Sequence, residues 1–249
     1  MDPKPKYAPS PRIDLGSLLR QVPTGFSEKG REAQEAARES EFLTTALLGI
    51  FNSNNGYKGF QNALANIDYT LADIEKICPK IKINNNTGLF ISAAINKIIT
   101  ENDTVTLDFN GKKVGYVASR LQKGHVILNG PAGYAAGELM SGSASLTING
   151  NAGDFAGQFM SGSARLTIHG SAGNYAGEFM SGSASLTIKQ NAGKEVGYDS
   201  LGGTIEIWGT IDHIAAWPGA EIRKVGPGFF GFFRRSAIAS DYDTVHPGF

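Results

Sequence analysis

The chain has 249 residues, enough for one large domain or for a repetitive domain with a smaller accessory region. Its 23 basic and 23 acidic side chains balance, which argues against a nucleic-acid or anionic-membrane partner. A single cysteine excludes an internal disulfide bond, and no stretch approaches the ~18 consecutive apolar residues of a transmembrane helix. The N-terminal residues are rich in lysine and proline and lack a signal-peptide core. We therefore expect a cytoplasmic protein.

The first part of the chain predicts an extended arm followed by helices. Residues 1–26 are rich in proline and glycine, which is typical of extended backbone. Residues 28–51 predict a helix that is rich in Ala, Glu and Arg at first and apolar later. A further helix is predicted near 88–101, after an asparagine-rich turn. We expect residues 27–102 to form a helical accessory domain that covers the start of the region that follows.

Between these two helices lies a capping-box pattern. Thr70 and Asp73 have the required spacing, and an apolar helical face follows until Pro79. Cys78 lies at the end of this predicted helix, with lysines two residues away on either side. Those lysines would favour a reactive thiolate. A lone cysteine at a helix end is more often a small buried hydrophobic residue, and we favour that interpretation.

Three consecutive 20-residue segments, 131–150, 151–170 and 171–190, are nearly identical, and a repeat of this length is typical of a solenoid. Each contains a Leu-Thr-Ile run that alternates apolar and polar residues, as a half-buried strand does. Stacked coils place each inward side chain above its copy. The predicted core ladders are Met140, Met160, Met180, Leu146, Leu166, Leu186, Ile148, Ile168 and Ile188.

Periodic glycines exclude a helical interpretation of the repeat and suit corners with positive φ. A leucine-rich repeat would need a leucine framework, and a calcium-binding β-roll would need repeated Gly-x-Asp pairs, of which only Asp154 is present. We therefore predict a mainly β protein with a helical N-terminus, in which residues 103–225 form a parallel β-solenoid with divergent end coils. The predicted corner glycines are Gly133, Gly153, Gly173, Gly137, Gly157 and Gly177.

The repeat resembles a known family. Gly133, Gly137, Met140 and Gly142, followed by an alternating strand, are similar to the GXGXG repeat domain, and the resemblance covers about residues 103–209. That domain forms the C-terminal part of the glutamate synthase large chain and also occurs in one of the subunits of formylmethanofuran dehydrogenase. The resemblance implies a right-handed β-helix that packs against catalytic domains or catalytic chains and contributes no catalytic residue of its own.

Residues 226–249 form an aromatic C-terminal tail. Phenylalanines next to paired arginines are typical of interaction hot spots, and the same phenylalanines would also serve to seal the last coil. Both interpretations stay open. The predicted interface residues are Phe229, Phe230, Phe232, Phe233, Arg234 and Arg235.

No pattern of catalytic, metal-binding or cofactor-binding residues emerges from the sequence. The four histidines are at least 33 residues apart in the chain, with no cysteine or second histidine near any of them. The glycines follow the coil period and not a phosphate-binding fingerprint. We therefore predict no catalytic residue, no metal site and no cofactor.

These observations favour a non-catalytic scaffold that acts in an assembly, with a protein partner or a second copy of the chain. Copies that stack head to tail through their end coils would extend into a filament. The alternative is a scaffold subunit of an oxidoreductase complex of the formylmethanofuran dehydrogenase or glutamate synthase kind. A third hypothesis is ice or surface binding through the ladder of Thr147, Thr167 and Thr187, which Arg165 interrupts.

Overall fold

A computed structural model describes residues 28–53, 56–214, 219–225 and 231–233, with only the backbone described for 28–39, 53 and 231–233. The chain divides into two compact units, Met1–Leu43 and Thr44–Phe249. Residues 44–102 thus belong to the same unit as the repeats. The predicted arm lies outside the described residues. No helix among the described residues is both long and apolar enough to cross a membrane.

Four helices precede eight strands in the described part of the chain. The helices are α1 (Glu28–Ser53), α2 (Tyr57–Leu64), α3 (Leu71–Ile77) and α4 (Thr87–Ile98). The strands are β1 (Thr104–Asp108), β2 (His125–Asn129), β3 (Ser145–Ile148), β4 (Arg165–Ile168), β5 (Ser185–Ile188), β6 (Thr204–Ile207), β7 (Glu221–Lys224) and β8 (Gly231–Phe233).

Two of the helices form for different reasons. The predicted capping box opens α3: the Asp73 backbone N–H donates to Thr70 Oγ1, and the Thr70 N–H donates to Asp73 Oδ2. Helix α2 was not predicted, and its N-terminus has no side-chain cap. Its Phe60 ring packs against Phe51 and Phe90, with centroids 6.4 and 5.3 Å away. Burial of an apolar face therefore stabilises α2, as is usual for short helices.

The strands form a single sheet in chain order, with β1 to β7 parallel and in register. Leu146 lies beside Leu166, which lies beside Leu186, so each coil repeats the one before it. The predicted parallel β-solenoid is thereby confirmed. All nine predicted core residues are at most 1% exposed, which makes the core a stack of identical Met, Leu and Ile ladders.

The corner glycines are required for two distinct reasons. Gly137 and its copies at 157 and 177 have φ between 71° and 73°, in the left-handed region that the sequence predicts. Contrary to that expectation, Gly133 and its copies lie outside this region. A Cβ on Gly153 would lie 2.9 Å from the carbonyl carbon of Gly133, so close approach between coils requires glycine there.

Side-chain oxygens also join successive coils. Asp154 Oδ1 accepts the backbone N–H of Asn174 at 2.8 Å, and Asn174 Oδ1 accepts that of Lys194 at 2.9 Å. Asn151 Oδ1 accepts the N–H of Ser171 in the same way. The lone aspartate of the repeats therefore fixes the spacing between coils.

The first and last strands of the parallel stack both have neighbours. At β1, the Thr106 N–H donates to Glu75 Oε1 of α3 at 2.7 Å. Helix α4 lies against the first coil so closely that a Cβ on Gly88 would come within 1.8 Å of the Gly115 carbonyl oxygen. At the other end, β8 pairs antiparallel with β7. The parallel ladder is thus closed by helices at one end and by a reversed strand at the other.

Candidate interaction surface

The predicted C-terminal interface is described only in its backbone. Phe229, Phe230, Arg234 and Arg235 lie outside the described residues. Phe232 and Phe233 belong to β8 and lie opposite Arg223 and Ile222 of β7 in the antiparallel register. The described backbone of the tail therefore occupies the sheet edge, while the role of the six side chains in partner contact stays a prediction.

A different surface, which sequence reasoning missed, runs along the side of the solenoid. One column of rings passes from Tyr116 to Tyr134, Phe155 and Tyr175, with successive centroids 5.7, 4.9 and 5.0 Å apart. A second column stacks Phe159 on Phe179 at 4.8 Å, with the ring planes 7° apart. We call this surface the aromatic face and define it by Tyr116, Tyr134, Phe155, Phe159, Tyr175, Phe179 and Tyr198.

Unusual backbone geometry underlies these columns. Phe155 and Phe159 have φ of 62° and 57°, and Tyr175 and Phe179 repeat this one coil later. Left-handed backbone costs a residue with a side chain about 1–2 kcal/mol. Hydrogen bonds between coils hold it in place, since the Phe155 N–H donates to Asn174 O and the Phe159 N–H to Glu178 O, both at 2.8 Å.

The aromatic face is exposed at three of its seven rings and half-buried at the other four. Tyr134, Phe159 and Tyr198 are 47%, 40% and 43% exposed. Stacked rings cover one another's faces, and the Tyr198 ring stands nearly perpendicular to Tyr175 and Phe179, at 82° and 83°. A sugar or a base would need free ring faces to stack on. The stacked pairs Phe155–Tyr175 and Phe159–Phe179 therefore offer less free ring face and are better suited to lateral packing against another apolar surface.

A buried carboxyl group lies beside the aromatic columns. Glu178 is largely shielded from solvent, and Gln158 Nε2 of the preceding coil donates a hydrogen bond to its Oε2. Burial raises the pKa of Glu178 above its ordinary value, the hydrogen bond from Gln158 opposes that rise, and the charge of Asp199 adds to it. Glu178 is thus a carboxyl group that is held in an environment unfavourable to its charge.

The outer surface of the sheet is chemically mixed. Thr147, Thr167 and Thr187 are aligned in register, as the sequence predicts. Ile127 precedes them in the same column and Glu206 follows them. The threonine column is therefore only three coils long, and an aliphatic and a charged residue border it.

The candidate reactive residues lie apart from one another. Cys78 is 1% exposed and its Sγ donates to the Ile74 carbonyl, which confirms its interpretation as a buried hydrophobic residue. Burial raises the pKa of its thiol to about 12. His125 Nε2 lies 2.9 Å from Thr147 Oγ1. Within the described ranges, no group of three or more His, Cys, Asp or Glu side chains is placed to hold a metal ion.

Comparison with known proteins adds no assignment. No protein-family model matches the chain, and no curated protein or solved structure matches it. The resemblance to the GXGXG repeat domain therefore stays a prediction from the residues.

A signal for the aromatic face was present in the repeats, because Phe155 and Tyr175 share one repeat position and Phe159 and Phe179 share another.

Proposed function

We propose that the chain is a non-catalytic scaffold in an assembly and that it binds a protein partner or a second copy through the aromatic face. The exposed rings support this proposal, because contiguous apolar patches of this kind mark interaction surfaces. Tyrosine and phenylalanine also supply large contact areas with few rotatable bonds. The rigid register of the coils holds the rings in a fixed order before the partner arrives.

The ends of the solenoid are less suited to self-association than its side. Stacking of a second copy on β1 would need to displace Glu75 from the Thr106 N–H. Stacking on β7 would need to displace β8, whose antiparallel direction does not continue the parallel ladder. These contacts favour lateral association through the aromatic face over a head-to-tail filament.

The proposal has two forms, which differ in the identity of the partner. If the partner is a catalytic chain, the protein is the scaffold subunit of an enzyme complex, which is the alternative implied by the GXGXG resemblance. If the partner is a second copy, the protein is a self-assembling structural element. Both forms use the aromatic face, so the same variants test both.

The test is a double variant of the aromatic face, Tyr134→Ser with Phe159→Ser, both in exposed positions. The matched control, Arg165→Ser with Thr167→Ser, changes two outward positions of β4. Mass by light scattering reports self-association, and quantitative affinity capture from the source cells reports a partner. We expect the aromatic-face variant to lose the complex while it still unfolds in one cooperative transition, at a lower melting temperature because two ring contacts are lost, and the control to keep the complex. Equal complex formation by both variants would contradict the proposal.

A further inference from the structure

A cleft of about 570 Å³ lies where the helical region meets the first coil of the solenoid. The cleft is open to solvent and not an enclosed cavity, so a ligand bound there would stay partly exposed. One wall is a turn between α3 and α4, and the other is the first coil together with the start of the aromatic face. The residues that line the cleft include Asn84, Asn85, Lys113, Gly115, Tyr116 and Tyr134.

The helical wall is rigid. The Asn84 N–H donates to Thr87 Oγ1 at 2.9 Å, and the Thr87 N–H donates back to the Asn84 carbonyl at 3.2 Å. The Asn86 N–H donates to Asn84 Oδ1 at 2.8 Å. Asn85 lies at the exposed apex of this turn, and its side-chain amide takes part in none of these bonds. The turn therefore places Asn85, whose side-chain amide can donate and accept hydrogen bonds, at the cleft.

The solenoid wall offers aromatic surface and open space. The Tyr116 and Tyr134 rings are 5.7 Å apart with their planes at 58°, so they are not stacked in parallel as Phe155 and Tyr175 are. The Tyr116 N–H donates to the Tyr134 carbonyl at 2.8 Å, which fixes the pair. Gly115 adds no side chain between them and α4. Tyr134 is 47% exposed and lines the cleft together with Tyr116, so the pair offers aromatic surface to a ligand.

Lys113 is the charged side chain among the described residues that line the cleft. Lys113 is exposed, and it makes no ion pair with any residue of the described ranges. The negative charge of Glu138, whose carboxylate accepts a hydrogen bond from Ser119 Oγ, also acts on Tyr116. Burial raises the pKa of the Tyr116 phenol, which is thus neutral at physiological pH. The ammonium group of Lys113 is therefore available to an anion.

We propose that this cleft binds a small organic anion that carries a ring. The ring packs against Tyr134 and Tyr116, the anionic group pairs with the ammonium of Lys113, and the Asn85 amide bonds to a hydroxyl or carbonyl group of the ligand. A nucleoside monophosphate and a uronic acid share this chemistry. The cleft shares Tyr116 and Tyr134 with the aromatic face, but Lys113 and Asn85 lie outside that face, so Lys113→Gln tests this inference separately from the proposed scaffold function.

The experiment is a calorimetric titration of the full chain at pH 7 and low salt, with 5′-AMP, glucuronate and inorganic phosphate as probes. We expect 5′-AMP or glucuronate to bind and phosphate alone to bind at least tenfold more weakly; whichever ring-bearing probe binds better identifies the source class. Lys113→Gln and Tyr134→Ala should each weaken binding about tenfold, the loss of roughly one charge-assisted or stacking contact.

Matched controls change the same residue types away from the cleft. Lys194→Gln removes an exposed lysine on a later coil, and Phe159→Ala removes an exposed ring of the second column. Both should bind the probes as the wild type does. The proposal is overturned if no ring-bearing probe binds at millimolar concentration, if phosphate binds as tightly as the better probe, or if the control variants lose as much affinity as Lys113→Gln and Tyr134→Ala.

Discussion

A β-carbon added to Gly157 would lie 2.8 Å from the sulfur of Met160, closer than non-bonded carbon and sulfur atoms approach. The same relationship recurs one coil later between Gly177 and Met180, also at 2.8 Å. Met160 and Met180 are fully buried. The thioether side chain therefore fills the space that a β-carbon on the glycine would need. The size of one residue of the pair thus limits the size of the other.

The first coil has different residues at the two positions of this glycine–methionine pair. Hydrogen bonds between coils align Ala118 with Gly137 and Leu121 with Met140. Ala118 keeps a positive φ of 56° and is buried, as is Leu121. The first coil thus combines an alanine with a leucine, where the later coils combine a glycine with a methionine. Alanine can thus adopt this left-handed φ, at a cost in strain, and contact with methionine is a second reason for glycine in the later coils.

This pairing predicts that Gly157→Ala destabilises the protein by about 1–3 kcal/mol through overpacking. Combining it with Met160→Leu, which copies the first coil, should recover part of that loss. Urea unfolding followed by circular dichroism measures both, with the exposed Ser163→Ala as the control. A double variant no more stable than Gly157→Ala alone would show that φ, and not the methionine, requires the glycine.

Glu178 predicts a pH-dependent stability. Because its folded pKa is raised above the ordinary 4.5, the unfolded carboxyl ionises first as pH rises, and the folded state loses stability until the folded carboxyl ionises too. Glu178→Gln removes this penalty and keeps a hydrogen-bonding partner for Gln158. We expect the variant to melt above the wild type at pH 7–8, with the difference vanishing near pH 4. Melting curves across this range check it; a variant less stable at pH 8 would contradict it.

Cys78 predicts a thiol that is inert in the folded protein. Its pKa of about 12 leaves almost no thiolate at pH 8, and its burial blocks access. A disulfide reagent such as DTNB should therefore react slowly with the native chain and at once in denaturant. Rapid labelling of the native chain, at a rate near that in denaturant, would mean that the helical region opens readily.

Removal of β8 should increase self-association. A chain that ends at Val225 leaves the outer edge of β7 without its described partner, and an unpaired edge is a template for further strands. We expect light scattering to show larger species that grow with concentration. A truncated chain with the same mass distribution as the full chain would show that β8 does not protect this edge.

The repeat period made the solenoid predictable, because Leu146, Leu166 and Leu186 recur every 20 residues and could only be buried together by stacking. The capping box at Thr70 was also predictable from the sequence, because it depends only on residues within one helical turn. Helix α2 was not predictable, because its Phe60 packs against Phe51 and Phe90, which lie in other helices. The aromatic face was missed since Tyr134 and Phe155 occupy different repeat positions and meet only once the coils stack.

Site-specific photo-crosslinking tests the central claim, lateral binding through the aromatic face, most directly. A photoreactive phenylalanine analogue is placed at Phe159 on that face, or at Thr167 on the outer surface of the sheet as the control, in the full chain within its source cells. We predict one dominant adduct from position 159, to a second copy or to one protein, and little from position 167. Equal crosslinking from both positions, or none from 159, would contradict the account.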